Sequence, residues 1–168
     1  MAYTNHYQLA DDVIAHLNTI VPTITNPFLV SRYAGFVTVV SVTVYELAIK
    51  EIFIDFGEKK HKVLGEFTRG YFDRINGRIR INTIRNDYIP RFGEKYVKRF
   101  NKKIKKAEEQ GLRNLRISIS ANYGNIITWR NDFAHEGVVP ATVTYGEVAQ
   151  AYEYGKEVIK CLAETMRY

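Results

Sequence analysis

The stretch Trp129-Arg130-Asn131-Asp132-Phe133-Ala134-His135-Glu136-Gly137 brings an indole, a permanent cation, an amide and an imidazole into nine residues. An imidazole ordinarily titrates near neutrality and suits proton transfer, while a guanidinium keeps its charge and offers a planar fork of donors to an anion. On a helix at roughly 100° per residue, Ile127, Arg130, Asn131, Ala134 and His135 share one arc, with Arg130 and His135 at its edges about 140° apart. Asn131 and His135 are four apart and therefore neighbours. Ile126, Trp129 and Phe133 occupy the opposite arc, so one face can enter a core while the other presents Arg, Asn and His. Gly137 supplies the stop, which puts His135 in a last turn where the helix can tighten and the Arg130 side chain can reach round to it.

Arg130-Asn131-x-x-x-His135 resembles the R-x4-6-H signature, in its R-N-x-x-x-H form, of the HEPN superfamily of small helical proteins. In that family the motif lies near the end of a late helix, followed by a loop and a closing helix, which is the order read here through Gly137 and the helix after Thr144. The resemblance implies an endoribonuclease that needs no metal, of the kind found in toxin–antitoxin, abortive-infection and CRISPR-associated defence systems. It also implies a homodimer whose two motifs line one cleft. The reaction so implied is attack of an RNA 2′-hydroxyl on the adjacent phosphate, leaving a 2′,3′-cyclic phosphate and a 5′-hydroxyl. His135 would move the proton, Arg130 would meet the growing negative charge, and Asn131 would hold either His135 or a phosphate oxygen.

The elements around the motif read as helices. Tyr3, Tyr7, Ala10, Ile14 and Leu17 alternate at spacings of four and three, predicting an amphipathic helix that Val21-Pro22 ends. Residues Phe28 to Phe56 are dominated by apolar side chains, and Val37-Thr38-Val39-Val40-Ser41-Val42-Thr43-Val44 has strand propensity. The segment is nevertheless too long for a strand, and Glu46, Lys50, Glu51 and Asp55 are spaced for the wet edge of a central helix. Glu46 is the first charge after Arg32. A carboxylate in a segment fit for burial requires compensation, either from a structural partner such as an arginine or from a place beside the Arg130–His135 site. Residues 57–65 read as a connection. Tyr71, Phe72, Ile75, Ile79 and Ile84 then mark one helix before Pro90, and Tyr96, Val97, Phe100 and Ile104 a shorter basic helix ending near Gly111. Thr144-Tyr145-Gly146-Glu147 is a capping box, opening a closing helix striped by Val148, Tyr152, Gly155, Ile159, Leu162 and Met166. The expected fold is all-α: an antiparallel bundle of four long helices plus a shorter basic helix, in a single domain spanning residues 1–168.

The net charge of +6 is unevenly placed. Residues 58–116 carry 18 lysines and arginines against 7 acidic residues, whereas the segments before and after are both slightly acidic. Arg78, Arg85, Lys95, Lys98, Arg99, Lys102 and Lys105 are the candidates for an RNA-binding face, since cations release counterions from nucleic acid and nearby tyrosines can stack on unpaired bases. The alternative is a solvated surface. No sequence-reading module is present, so shape and charge would choose the RNA.

Other chemistries lack their residues. Neither G-x-x-x-x-G-K-[ST] nor G-x-G-x-x-G occurs, and His6, His16, His61 and His135 include no pair spaced for zinc, so no cofactor or metal is expected. The single Cys161 suits a reducing, cytoplasmic setting and a buried apolar role. Met1 to Leu9 lacks the pattern of a signal peptide, and the longest uncharged run, Tyr33 to Tyr45, falls short of the ~20 residues that span a bilayer. Beside RNA and a second copy, a cognate antitoxin or defence-system protein is an expected partner. A second reading keeps the HEPN-like dimer and the basic face but not the catalysis: it binds nucleic acid, a nucleotide or a partner protein, with Arg130 paired structurally to Glu46.

Overall fold

The computed structural model describes residues 2–167, which form helices joined by turns with no strand among them. After a 3-10 turn, α1 spans Tyr7–Ile20 and α2 spans Pro27–Lys60. The helix α3 covers Lys62–Phe72, and α4 is a single turn at Ile81–Thr83 that runs into a π turn at Ile84–Tyr88 and a 3-10 turn at Ile89–Phe92. Three long helices complete the chain: α5 at Glu94–Leu115, α6 at Ile119–Glu136 and α7 at Tyr145–Thr165.

The all-α class expected from the pattern is the one observed. The valine-rich run of α2 is helical, because burial against α1, α3, α6 and α7 outweighs the modest strand propensity of its β-branched residues. At 34 residues, α2 is about 50 Å long and serves as the axis of the bundle. Tyr45 lies at its centre, fully buried and stacked between Tyr123 of α6 at 5.3 Å and Tyr152 of α7 at 5.7 Å. Its hydroxyl donates to the Tyr152 carbonyl, so the polar tip is satisfied inside the core. Cys161 is buried as expected, and burial pushes its thiol up to about 11.

Three local expectations are corrected. The glycines at 57 and 65 do not open a connection: α2 continues to Lys60 and α3 begins after His61 alone. A Cβ on Gly57 would meet Thr68 Oγ1 at 2.4 Å and one on Gly65 would meet Glu58 Cγ at 2.8 Å, so both glycines let α3 fold back closely on α2. The helix expected through Ile84 stops at Phe72, because Asn76 and Gly77 adopt positive φ (41° and 77°). Finally, the basic helix is not a shorter appendage. It runs 22 residues, through Gly111 to a left-handed cap at Arg116, and is second in length only to α2.

The segment that follows α3 is anchored by aromatic packing. Phe53 of α2 stacks on Phe72 and Phe92 at 4.3 and 5.4 Å, and Tyr88 meets Phe53 edge-on at 6.1 Å. These rings hold residues 73–92 against the bundle beside α6, which places Gly77 next to the motif.

Candidate functional site

The helix α6 begins at Ser118, whose hydroxyl caps the Ala121 amide, and ends at Gly137 with φ of 72°. Ile126 and Ile127 are both buried, so the arc of Arg130, Asn131, Ala134 and His135 turns outward only in the last two turns. Phe133 fixes that end of the helix. Its ring lies against Gly35 of α2, where a Cβ would come within 2.0 Å of Phe133 Cδ2, so no larger residue fits there without displacing the ring. The antiparallel course of α2 and α6 follows from this contact and from the stacking of Tyr45 on Tyr123.

Arg130 is half-buried, with its guanidinium set against Asn131 and Gly77. Its Nη1 donates to Asn131 Oδ1 at 3.1 Å, and its Nη2 lies 3.2 Å from where a Cβ would stand on Gly77. A side chain at Gly77 would therefore be crowded by the guanidinium and strained by φ of 77°. The Gly77 amide donates to Glu46 Oε2, while Glu46 Oε1 pairs with Lys50 at 2.8 Å and Lys50 in turn donates to the Asp73 carbonyl at 3.2 Å. The chain Lys50–Glu46–Gly77 thus holds the turn against which Arg130 rests. Among the described residues, the ion pair of Glu46 is made with Lys50 and not with an arginine. Glu46 nevertheless stands beside the motif, one glycine away from the guanidinium.

The expected reach of Arg130 to His135 is not found. The final turn stays α-helical to Glu136, and the Asn131 carbonyl oxygen accepts from Arg130, with no hydrogen bond from Asn131 to His135. The imidazole of His135 is exposed, and no described residue hydrogen-bonds to it. The remaining histidines are occupied or remote from the motif: His6 lies 2.6 Å from Glu51, His61 Nδ1 accepts from the Val63 amide at 3.2 Å, and His16 is exposed on α1. Among the described residues, no three His, Cys, Asp or Glu side chains cluster as metal ligands would.

A comparison with family models matches residues 5–168 to the family described as RiboL-PSP-HEPN. The chain belongs to this HEPN family. Searches of the curated proteins and of the solved structures return no match. No described helix of this HEPN chain is long and apolar enough to cross a membrane.

The cations named from the sequence divide into three groups around the HEPN motif. Arg78 follows Gly77 directly, and its side chain is 73% exposed. Arg85 lies further along, in a groove with Lys105 and Ser120, the residue at the opposite end of α6. Lys95, Lys98 and Lys102 are exposed on the first half of α5. That half packs on the end of α7, where Lys103 meets Glu164 at 2.7 Å and Arg99 Nη1 donates to the Thr165 and Arg167 carbonyls at 3.1 and 2.7 Å. Arg99 thereby closes the end of α7. Because α7 runs about 30 Å from the motif end to that cap, the bundle holds Lys95, Lys98 and Lys102 at the far end from His135.

Two residues beside the HEPN motif escaped the sequence reading. Gly77 was signalled by the Asn76-Gly77 pair, a turn signature inside the arginine-rich stretch. Arg32 had no such signal. Its Nη1 lies 3.0 Å from where a Cβ would stand on Gly137, so a second guanidinium sits at the end of α6, also 4.7 Å over the Phe28 ring.

Proposed function

We propose that this chain is an endoribonuclease that cleaves RNA at Arg130 and His135 without a metal cofactor, in a cytoplasmic defence or toxin–antitoxin setting. The observation that carries the reading is the exposed, unpartnered imidazole of His135 one turn beyond the Arg130–Asn131 pair, on a chain of the HEPN family. In the reaction, a histidine acting as base takes the 2′-hydroxyl proton as that oxygen attacks phosphorus. The bond from phosphorus to the 5′-oxygen breaks, and an acid returns a proton to that oxygen. Charge on the phosphate grows during the step, and a guanidinium held in place in advance stabilises it without reorganising. Asn131, with its carbonyl oxygen on Arg130, offers its amide nitrogen to a phosphate oxygen.

One imidazole serves poorly as both base and acid, and a second copy supplies the other. Leu29, Phe36 and Leu47 of α2 are 45%, 47% and 38% exposed, and their spacings of seven and eleven residues place them on one face. That face adjoins the motif through Gly35 and Arg32, and we assign it to the partner copy. Light scattering at micromolar concentration is expected to find a dimer, and Phe36→Glu to yield a monomer that has lost most cleavage. A wild-type monomer with full RNase activity contradicts the shared cleft.

The lysines of α5 supply long-range attraction. Lys98, Lys102 and Lys105 are exposed and have no ion-pair partner among the described residues. RNA affinity is expected to fall with salt by roughly 0.7 log units per neutralised phosphate for each log unit of salt. Replacing the three lysines by glutamate should flatten that slope and leave the melt unchanged. Binding that is flat with salt in the wild type would assign these charges to solubility.

A further inference from the structure

The stretch from Gly77 to Arg85 connects the motif to the basic helix, two features that the bundle otherwise holds apart. Three contacts set its register on α6. Gly77 lies against Arg130, the Ile79 carbonyl accepts from the Tyr123 hydroxyl at 2.7 Å, and Arg85 shares a groove of about 580 Å³ with Ser120 and Lys105. The stretch therefore descends α6 from residue 130 to residue 120, about 15 Å at 1.5 Å per residue, and about 22 Å when counted from His135.

Arg78 and Arg80 are exposed on this descent, and Arg85 and Lys105 line the groove at its end. The nearest carboxylate to Arg78 is Asp87 at 4.0 Å, and Asp87 is already bound by Arg91 at 2.7 Å. Arg85 is partly buried and lines the groove, with its Nε enclosed and without an acceptor among the described residues, so it is the outer part of its guanidinium that faces a ligand there. Lys105 is exposed and lines the same groove from α5. Glu108 also lines it, but this carboxylate is occupied by the Ser120 amide at 3.0 Å. Burial pushes the Glu108 carboxyl up, yet hydrogen bonds from Ser118 and Ser120 outweigh it and hold the group below its ordinary value.

We infer that the RNA, on one side of the bond to be cut, lies along Arg78, Arg85 and Lys105, so that the protein selects single strands long enough to reach from His135 to α5. A line one cation wide engages one backbone. At about 3.4 Å per stacked nucleotide, 22 Å corresponds to roughly six nucleotides beyond the cut. This inference rests on the endoribonuclease reading above, and it adds a length requirement that the motif alone does not impose.

The test is a ladder of 5′-fluorescein RNAs of mixed sequence, 4, 6, 8, 12 and 20 nucleotides long. Cleavage is measured with the wild type, and affinity by anisotropy with His135→Ala. The 12-mer is expected to exceed the tetramer at least tenfold in kcat/KM, with little further gain at 20. Arg85→Glu combined with Lys105→Glu should bring that ratio close to one. The same charge change at Lys59 and Lys62, which lie off the line, should leave the ratio at its wild-type value. A wild-type ratio near one overturns the inference, as does an equal loss from both pairs, which would indicate bulk charge. If no length is cut, the endoribonuclease reading fails and the affinities decide the line by themselves: growth from 4 to 12 nucleotides, removed only by the Arg85 and Lys105 changes, supports it, and affinity independent of length rejects it.

Discussion

Replacing Arg130 by alanine is expected to lower cleavage by roughly 10²- to 10³-fold in kcat, the range found when one preorganised donor to a developing oxyanion is removed. RNA affinity should fall less, because the guanidinium meets the phosphate more strongly as charge develops than in the ground state. The fold should survive. Arg130 is half-buried, its hydrogen bond among the described residues is to Asn131, and the turn it rests on is held independently by Glu46 and Lys50. Arg130→Lys should restore little, since an ammonium lacks the planar fork that bridges two phosphate oxygens. The measurement is single-turnover cleavage beside a thermal melt. A variant that unfolds, or one that cuts at the wild-type rate, would make Arg130 a structural residue and favour the non-catalytic reading.

That reading has a specific form here, because Arg130 is packed against Gly77 and not left free in solvent. The packing fixes the direction of the guanidinium, which serves either role. The chemistry must therefore be decided at His135, which no described residue holds.

Much of this arrangement could be read in the chain. The stripes of α1 and α7, the Thr144–Glu147 capping box and the stop at Gly137 are short-range signals, and the structure contains each of them. The motif helix was also legible, since Phe133 and Ile126 face inward as their spacing requires. Ile127 was placed with the polar arc but is buried, because α6 has neighbours on two sides where the pattern suggested one. What stayed hidden depends on pairing between distant segments. Gly57 and Gly65 read as loop residues because nothing local shows that Thr68 and Glu58 will pack against them. The break at Asn76-Gly77 was masked by isoleucines that kept a helical spacing on either side. Glu46 could be identified as needing a partner, but not matched to the Gly77 amide 31 residues away. The division of the basic third was invisible for the same reason: spacing places Arg99 on α5, while only the fold shows it capping α7.

The most direct measurement compares wild type with His135→Ala on structured and unstructured RNA in the presence of chelator, with analysis of the product ends. His135 is exposed on the last turn of α6 and makes no hydrogen bond to a described residue, so its removal deletes the proposed proton shuttle and disturbs little else. Wild type is expected to leave a 2′,3′-cyclic phosphate and a 5′-hydroxyl, and the variant to yield at least about 10²-fold less product, the scale of a lost general acid or base, while still binding RNA and melting cooperatively. A product carrying a 3′-hydroxyl and 5′-phosphate, or a His135→Ala variant that cleaves as fast as the wild type, would contradict the account.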